Sequence, residues 1–586
     1  MKLWLCSLVL AATGCHNAAS GSRDGSSPGD GAEVRDGAPS TADGSSSAGD
    51  GFVFSSDGSV VPVVDAGQDA TVGTATDRSV LLRGNDIYRH GTYTQPTFTK
   101  GAVTTLTASA TFDTNATFPA NGNTQGQGMA SVLYVEKGPA SAGCPAGVTG
   151  CAATGRAAGD GIFLAFPPLG SNPNIIAFDE ATGLYVWTAH VTAGSDGIRG
   201  TPAIDLVTRR IFVVTGNNPH MVRAVSVDTG AEITTGGWPL RLASDTLSYN
   251  NNTFASQLEN QHGALLLLND ILYIPFGGEN GDVGAYYGWM VAVDITDPAK
   301  YAGWATQSVK SGIWGTGGPA SDGTYVFATT GNTGGAPRSA SDSEELVRWK
   351  GLAEFTRDAN SIFVPTEWAT WDSNDLDFAS GTPAFISLPA GSSPPSVIVA
   401  PGKGGRVFVV DAQNFSSGSY PTPGGQLLDL VVSGTTQNSI YTSPTVYSTP
   451  SGIHATINVG GSNSANAVSC PPGTQASSEE YVSLLFSPGK TPIAATSWCA
   501  SNGGQGGGTS NHPPMSTTSD GTNDPIVWFT DNGQLTGVDG ETGAHLVTTS
   551  GTSCDSLFSM SFPIAVKGRV VVAALGHLCA WSLDGQ

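Results

Sequence analysis

Six cysteines carry the most readily interpreted chemistry in this chain of 586 residues. They lie in the body of the chain, away from two others near the N-terminus: Cys144, Cys151, Cys470, Cys499, Cys554 and Cys579. An even number of cysteines in an exported protein predicts disulfides. Because short loops close most easily, we expect sequence neighbours to pair as 144–151, 470–499 and 554–579. No spacing matches the C-x-x-C of a zinc site or the C-x-x-C-H of covalent haem, which disfavours both groups.

Other residues that could do chemistry lack the spacing that a known reaction requires. Gly489-Lys490-Thr491 has no opening glycine for a phosphate-binding loop. Residues 503–508 are glycine-rich but do not follow the spacing of a dinucleotide site, so no nicotinamide cofactor is expected. The nine histidines include no His-Glu-x-x-His helix. We interpret His262, which precedes a run of four leucines, as a hydrogen-bonded residue at the start of a strand.

The elements that hold such side chains must be short strands joined by tight turns. The chain has 78 Gly, 35 Pro and only 12% charged residues, and it shows no long apolar stripe at helical spacing. Its 25 basic and 48 acidic residues give a formal net charge of −23. That charge repels phosphate backbones, so a nucleic-acid partner is not expected. The acidity is typical of a protein that must stay soluble outside the cell.

Residues 1–14 predict a targeting signal. Lys2 supplies the positive end, and Leu3–Ala12 is an apolar run too short to span a membrane as a helix. The following Cys15 completes Ala12-Thr13-Gly14-Cys15, which resembles the lipobox of bacterial lipoproteins, although Ala12 stands where Leu is more usual. The resemblance implies cleavage before Cys15 and its acylation, which holds a protein on the periplasmic or cell-surface side of a membrane without spanning it. The alternative is an ordinary signal peptide with an incidental cysteine.

A tether is predicted between this anchor and the folded body. From His16 to about Asp77 the sequence is rich in Ser, Gly, Ala and Asp, with almost no bulky apolar residue before Phe52. Such a segment cannot bury enough apolar surface to offset the entropy of ordering it, so we expect disorder. The predicted organisation is therefore signal peptide 1–14, lipidated cysteine and tether 15–78, and folded body 79–586.

The body repeats one pattern: a small-residue segment with proline, an apolar strand, a loop, then apolar-x-Asp-x-x-Thr-Gly and an aromatic residue. The clearest copy is Ile175–Gly183 followed by Trp187, and a second is Val225–Gly230 followed by Trp238. Asp with Thr-Gly is typical of a tight turn, and the trailing ring can fill space between sheets. Units repeating at roughly 40–60 residues, each too small to bury its own faces, predict a propeller or an array.

Eight repeats can be counted, which predicts an all-β, single eight-bladed propeller of four-stranded antiparallel blades, with seven blades as the alternative. Further repeats open at Thr201-Pro202-Ala203, Gly318-Pro319-Ala320, Thr382-Pro383-Ala384 and Ser443-Pro444-Thr445. The chain stops directly after an inner strand, so the last blade would lack its outer strand. We expect an N-terminal strand within Val103–Phe112 to complete that blade and close the ring, which abolishes the open edge.

These repeats resemble those of the pyrroloquinoline quinone (PQQ) propellers, which include quinoprotein alcohol dehydrogenases and non-enzymatic outer-membrane assembly lipoproteins. The resemblance covers nearly the whole chain after Ser79 and is more specific for the fold than for the activity. Where the family has a Trp-Gly and a Gly-Asn on either side of a strand, this chain has Trp314-Gly315 and Gly331-Asn332. The resemblance implies that Trp314 stacks under the quinone and that Asn332 binds calcium.

The same resemblance implies the remaining site residues. Asp375-Leu376-Asp377 matches the acidic motif that carries the catalytic base, with Asp377 the better match and a calcium ligand as well, and Asp375 second. Lys403 matches the cation beside the quinone oxygens. A glutamate ligand of calcium is expected one repeat earlier, where Glu279 and Asp282 are both near without clear alignment. The chain departs from many members in having no Cys-Cys pair, and without a haem motif its electrons would need a separate acceptor.

Two functions are compatible with these observations. The first, slightly favoured by the anchor, the tether and the missing Cys-Cys pair, is a non-catalytic propeller that presents its loop faces to protein or glycan partners. The second is a PQQ- and calcium-dependent dehydrogenase that oxidises an alcohol or a sugar. Convergence of Trp314, Asn332, Asp377 and Lys403 on one pocket near the propeller axis would favour the second.

The lipobox predicts that Cys15 alone anchors the protein. We expect Cys15→Ser to abolish incorporation of labelled fatty acid and to move the protein from the membrane fraction to the soluble fraction. Cys6→Ser is the matched control, because Cys6 lies in the segment that is removed. Labelling that persists in Cys15→Ser would contradict the lipoprotein interpretation.

Overall fold

The structure is a computed structural model, which describes residues 78–585 except 119–129, 140–155, 157–158, 168–173, 192–196, 217, 280–281, 334–341, 353–360, 416–424, 434–439, 461–469, 472–478, 488, 490–492, 502–511, 532, 550–559, 575 and 584. These residues form 37 strands and two α-helices. The strands are grouped in eight sheets of four-stranded antiparallel type, the blades of one propeller, as the repeat count predicts. No helix in the described part of the chain is long and apolar enough to cross a membrane.

Two strands precede the first blade, β1 (Thr92–Thr94) and β2 (Thr107–Ala108), and blades I to IV follow in chain order. Blade I contains β3 (Leu133–Val135), β4 (Ile162–Ala165), β5 (Ile175–Asp179) and β6 (Tyr185–Ala189). Blade II contains β7 (Ala203–Asp205), β8 (Arg210–Thr215), β9 (His220–Ser226) and β10 (Glu232–Ile233), with β11 (Leu240–Leu242) also paired to β9. A hairpin of β12 (Ser248–Tyr249) and β13 (Asn252–Thr253) precedes blade III, which contains β14 (Glu259–Asn260), β15 (Leu266–Leu268), β16 (Ile271–Gly278), β17 (Trp289–Asp294) and β18 (Tyr301–Ala305). Blade IV contains β19 (Ala320–Ser321), β20 (Val326–Thr329), β21 (Leu346–Trp349) and β22 (Ile362–Phe363).

The second half of the chain repeats the arrangement. Blade V contains β23 (Ala384–Ser387), β24 (Ser396–Gly402), β25 (Arg406–Asp411) and β26 (Gln426–Val431). Blade VI contains β27 (Thr445–Thr449), β28 (Gly452–Gly460), β29 (Glu479–Phe486) and β30 (Ala494–Ser501). Blade VII contains β31 (Met515–Thr518), β32 (Ile526–Asp531), β33 (Gln534–Asp539) and β34 (His545–Thr548), with β1 parallel to β31. Blade VIII contains β35 (Ile564–Val566), β36 (Arg569–Ala573), β37 (Leu578–Ser582) and β2. Helix α1 spans Ala110–Asn115 and helix α2 spans Trp368–Asn374.

Each proline-containing opening stands directly before the first strand of a blade. Pro202, Pro319, Pro383 and Pro444 precede β7, β19, β23 and β27 by one residue. Proline fixes its own backbone angle and cannot donate to a ladder, so it fits the residue just outside a strand. The first strands are buried, and their openings mark the innermost part of each blade.

The ring closes as expected, through a shorter strand than the sequence suggested. Within the predicted range Val103–Phe112, only β2 forms ladder contacts, pairing Thr107 with Ser582 and Ala108 with Trp581. A short 3-10 helix, Ala102–Thr105, precedes β2, and helix α1 follows it. The N-terminal part of the body therefore supplies the outer strand of the last blade, and no edge is left at that point.

The Asp-x-x-Thr-Gly pattern forms the turn between the third and fourth strands of a blade. In blade I the Oδ1 atom of Asp179 accepts hydrogen bonds from the backbone N–H of Thr182 at 2.9 Å and from its hydroxyl at 2.7 Å. Gly183 then adopts a positive φ of 69°, which an L-residue with a side chain rarely adopts. The motif is thus a self-capped turn that reverses the chain.

The aromatic residue of the pattern joins neighbouring blades. Trp187, on the outer strand of blade I, donates from Nε1 to the Val227 carbonyl of blade II at 2.9 Å. Its ring lies against Gly230 in the turn of blade II, where an added Cβ would be 2.5 Å from the ring. In the same way Trp498 of blade VI donates to the Gly540 carbonyl of blade VII at 2.8 Å. The spacing of the repeat therefore encodes contact between blades.

For one of the three predicted disulfides, both cysteines lie among the described residues. Cys470 and Cys499 are bonded, with a Cα–Cα distance of 5.6 Å, which confirms the 470–499 pairing. The other two predicted pairs include Cys144, Cys151 and Cys554, which lie outside the described residues.

The contact between Trp187 and the blade II turn predicts a sharp cost for a methyl group at Gly230. Gly230→Ala should lower the free energy of unfolding by about 2 kcal/mol or more, because it adds backbone strain at φ 69° to overpacking against the ring. Gly236→Ala is the matched control, since Gly236 has a φ of 64° but no heavy atom within 4 Å of the added Cβ. Denaturant unfolding measures both variants, and equal losses would contradict the packing role.

Candidate functional site

The four residues assigned by resemblance lie at the inner ends of blades IV and V. Trp314 lies in the loop between β18 and β19, and Asn332 lies just after β20. Asp377 precedes a 3-10 helix, Phe378–Ser380, that leads from helix α2 towards blade V. Lys403 follows β24, which ends at Gly402. The fold therefore brings together residues as far apart in the sequence as Trp314 and Lys403, which are separated by 89 positions.

The Asp377 carboxylate is the centre of this group. Its Oδ1 atom accepts hydrogen bonds from the Asn332 backbone N–H at 3.2 Å and from the Trp314 indole Nε1 at 3.4 Å. Its Oδ2 atom lies 3.2 Å from the Lys403 Nζ, which is also 3.1 Å from Oδ2 of Asp375. All four residues, together with Asp375, are thus brought together as the resemblance implies.

The local structure around Asp377 explains the position of its carboxylate. The Lys403 backbone N–H donates to the Asp377 carbonyl at 3.2 Å, so the two residues are aligned through the main chain as well. Gly331, just before Asn332, allows the close approach, because an added Cβ there would lie 2.5 Å from Asp377 Oδ1. Helix α2 is fixed by Trp371, whose ring packs on Phe378 and Phe408. The site therefore depends on packing between blades IV and V.

Burial and charge set the protonation of the pair. Asp377 and Lys403 each expose only 6% of their surface, whereas Asp375 is largely exposed. Burial raises the pKa of Asp377, and the Lys403 cation opposes that rise. Burial acts to lower the pKa of Lys403, but the combined effects of Asp377, Tyr441 and Asp375 outweigh burial, so that its pKa is raised. At neutral pH Lys403 is a buried cation held against carboxylates.

Two tyrosines that the sequence did not single out border Trp314. The Tyr441 ring lies 6.3 Å from the Trp314 ring, between centroids, and the two planes are tilted by 46°. Burial raises the pKa of Tyr441, although the Lys403 charge opposes it. Burial likewise raises the pKa of Tyr286, which donates to Asp282 at 2.7 Å and is close enough to feel the charge of Asp377. The half-buried Trp314 face is thus flanked by aromatic side chains.

The metal ligands expected one repeat earlier are engaged elsewhere. Glu279 pairs with Arg199 at 3.3 Å, and Asp282 accepts the Tyr286 hydroxyl. Nothing tests Glu279 as a calcium ligand, and it stays a prediction. Within the described residues, no group of three or more His, Cys, Asp or Glu side chains could hold a metal ion.

Glu259 on β14 is a further acidic residue near the site that the sequence analysis missed. It is fully buried, and its Oε1 atom accepts from the Tyr287 N–H at 3.2 Å. Its Oε2 atom makes no hydrogen bond within the described residues, although the Trp289 indole lies near. Burial raises its pKa well above the usual range, and its charge is felt by Tyr286. The sequence gives no signal for it, since it is a single acid on a short strand.

A second buried carboxyl group, that of Glu344, lies behind Asp377. Its Oε2 atom accepts a hydrogen bond from the Phe378 N–H at 2.6 Å, and Oε1 has no partner among the described residues. Burial, and next the negative charge of Asp377, raise the pKa of Glu344 well above its usual range. The only sequence signal was an acidic pair, 344–345, beside an otherwise apolar strand.

Comparison with solved structures identifies the fold. A quinohemoprotein alcohol dehydrogenase from Comamonas testosteroni is similar, with a TM-score of 0.55 and 14% identity over 87% of this chain and 81% of that chain. A quinohemoprotein alcohol dehydrogenase from Pseudomonas putida HK5 gives 0.54 and 13% over 87% and 81%. A europium-containing methanol dehydrogenase gives 0.55 and 13% over 85% and 90%.

The chain has the fold of the quinoprotein alcohol dehydrogenase propellers. At these identities the similarity shows the fold alone. No protein-family model matches the sequence, and no curated protein matches it.

The raised pKa of Glu344 predicts how stability varies with pH. Because the folded state holds the proton more tightly than the unfolded state, this group contributes most stability below pH 4.5, and the contribution falls as pH rises towards the raised pKa. Glu344→Gln removes that fall, so the melting temperature of the variant relative to the unsubstituted protein should increase from pH 5 to pH 8. Asp297→Asn, at a half-exposed residue, is the charge-matched control. A difference in melting temperature between Glu344→Gln and the unsubstituted protein that does not change with pH would contradict the raised pKa of Glu344.

Proposed function

We propose that this protein is an exported, membrane-anchored quinoprotein that oxidises an alcohol or a sugar. In this proposal Trp314, Asn332, Asp377 and Lys403 form the site, called the axial site, that binds PQQ with calcium. The observation that carries the proposal is the convergence of Trp314, Asn332 and Lys403 on the buried Asp377 carboxylate. Three residues that meet at the carboxylate of a fourth are more specific evidence for a quinone site than the fold is.

The donor set suits a planar, anionic quinone. Trp314 is only partly buried, so its indole can offer a stacking surface. Lys403 supplies a buried cation beside Asp377, where developing negative charge on an oxygen would be stabilised. When bound, the quinone supplies the electron acceptor and calcium its Lewis acidity.

The first two candidate ligands for calcium in this chain are the side chains of Asn332 and Asp377. A third acidic ligand is required by the preference of Ca²⁺ for several oxygen atoms. Glu259 is the better candidate than Glu279, because its Oε2 atom is buried without a hydrogen bond among the described residues, whereas Glu279 is paired with Arg199. Side-chain movements are needed, since within the described residues these groups do not form a metal-binding cluster.

Asp377 is the residue that would accept the substrate hydroxyl proton. It must be ionised to do so, and burial raises its pKa, so activity should rise with pH through that raised value. The positive charge of Lys403 opposes that rise in the pKa of Asp377 and so favours its ionised form. Asp375, which is largely exposed and also contacts Lys403, is in the place to pass the proton to solvent.

A non-catalytic propeller that binds a protein or glycan partner is the second candidate. The observation that favours it is that Asp377 and Lys403 already satisfy each other as an ion pair. The chain also has no Cys-Cys pair. In that case the buried pair is structural, and the propeller faces, displayed on a tether above the membrane, bind the partner.

Reconstitution tests the proposal directly. We expect the purified protein with Ca²⁺ and PQQ to bind the quinone and to reduce an artificial dye when given an alcohol or a sugar. Asp377→Asn should lower kcat by about 10²–10⁴-fold, because the general base is lost. Asp297→Asn is the matched control, because Asp297 lies in the turn between β17 and β18 and pairs with Lys300, and it should retain the turnover of the unsubstituted protein.

Quinone binding without turnover on any substrate would limit the site to cofactor binding. Absence of both bound quinone and dye reduction would contradict the proposal and favour the second candidate. A thermal melt of each variant separates loss of chemistry from loss of folding.

A further inference from the structure

The chain segment that precedes β2 runs past every blade of the propeller. Backbone hydrogen bonds join Val80 to Tyr134 of β3, Leu81 to Ile204 of β7, Ile87 to Ser321 of β19, Tyr88 to Phe385 of β23, His90 to Val446 of β27 and Gly91 to Ser516 of β31. Side chains complete the set, because Arg89 reaches the Leu265 carbonyl beside β15 and Gln95 reaches the Ala565 carbonyl of β35. A segment of 16 residues can contact eight first strands only where they converge. We call Val80–Gln95 the axial segment.

Two arginines of the axial segment are buried at this centre. Arg89 donates from Nε to the Pro319 carbonyl at 2.7 Å, from Nη1 to the Arg83 carbonyl at 2.6 Å and from Nη2 to the Leu265 carbonyl at 2.9 Å. Arg83 donates to Ser131 Oγ at 2.9 Å, to the Met560 carbonyl at 2.7 Å and to Thr316 Oγ1 at 3.5 Å. Each guanidinium group therefore ties together three separate parts of the chain.

Both arginines contact the loop that carries the Trp314 side chain. In the loop 314–319, Arg83 contacts Thr316 and Arg89 contacts the carbonyl of Pro319. The loop contains three glycines, at positions 315, 317 and 318, so its own backbone restrains it little. The Gly317 N–H donates to Thr382 Oγ1 at 3.0 Å, which links the same loop to blade V. The loop that carries Trp314 is thus held by the axial segment and by blade V, and the Trp314 indole itself donates a hydrogen bond to Asp377.

A guanidinium group is suited to this task by its shape. Its donors form a rigid planar fork, so one side chain can fix several carbonyl groups in defined directions. Every hydrogen bond of Arg89 within the described part of the chain goes to a main-chain carbonyl. Burial lowers the pKa of both Arg83 and Arg89 to about 9, which leaves both charged at neutral pH. Asp86, which is itself buried and paired with His90, is the carboxylate that faces Arg89.

We infer that Arg83 and Arg89 are positioning residues of the axial site, which hold the loop 314–319 so that the Trp314 ring presents its face to the quinone. The quinone part of this inference rests on the proposed function. The restraint of the loop does not, and can be measured in the protein alone.

Hydrogen–deuterium exchange of the full-length protein tests the restraint. Arg89→Met removes three donors, and we expect amides of the peptide 312–319 to exchange roughly tenfold faster or more. Gln95→Leu is the matched control, since Gln95 belongs to the same segment but bonds to Ala565 and Gly568 of blade VIII. It should leave exchange of 312–319 unchanged. Arg89→Lys keeps the charge with fewer directed donors and should be intermediate, and Arg83→Met provides a second variant if Arg89→Met does not fold.

Quinone titration supplies the second readout. Affinity for PQQ, followed by quenching of tryptophan fluorescence, should fall roughly tenfold in Arg89→Met and stay within twofold of the unsubstituted protein in Gln95→Leu. Faster exchange at 312–319 in a protein that never binds PQQ would keep the positioning role and overturn the proposed function. Unchanged exchange in both arginine variants, or an equal increase in Gln95→Leu, would overturn the inference.

Discussion

Convergence of eight first strands on one axis is the constraint on which the rest of the structure depends. A blade of four short strands cannot bury both of its faces, so each face must be covered by a neighbouring blade, and the series must end where it began. Strand β2 completes the last blade, and the axial segment holds the first strands together through one or more contacts to each blade. Backbone groups that would otherwise point unpaired into the centre of the ring find partners there.

The same constraint creates the candidate site. Loops that open the blades are forced towards the axis, so side chains placed just before or after an inner strand meet those of the next blade. Trp314 precedes β19, Asn332 follows β20, Lys403 follows β24, and Tyr441 precedes β27. Their closeness is a consequence of repeat architecture, and the particular residue types at these places give the site its chemistry.

The repeat could be predicted from the sequence because it depends on particular residue types at particular positions. Pro202 and Pro319 mark inner strands, and Asp179 with Gly183 marks a turn, since each of these residues has a distinct backbone requirement. The axial segment was missed because most of its contacts with the first strands are made by main-chain groups, which leave no pattern in residue types. Glu259 and Glu344 were missed because a lone buried acid is recognisable only from what surrounds it, and Glu279 was named from its position in the repeat alone. The family motif supplied Trp314, Asn332, Asp377 and Lys403, and only the fold could bring them together.

The buried Asp377–Lys403 pair helps to distinguish a functional site from a purely structural ion pair. Removing two charges from water costs free energy that their attraction often fails to recover, and an apolar pair of similar volume would commonly stabilise a fold better. Beside this pair lies a further buried carboxyl group, that of Glu344, and Glu259 is another buried acid in blade III. The raised pKa values of both indicate that their ionised forms are disfavoured. The contacts of the Trp187 type and the apolar cores that join the blades do not require such groups. The arrangement is better explained by the needs of a charged, planar ligand than by those of stability, and this favours the catalytic proposal over a purely structural wheel.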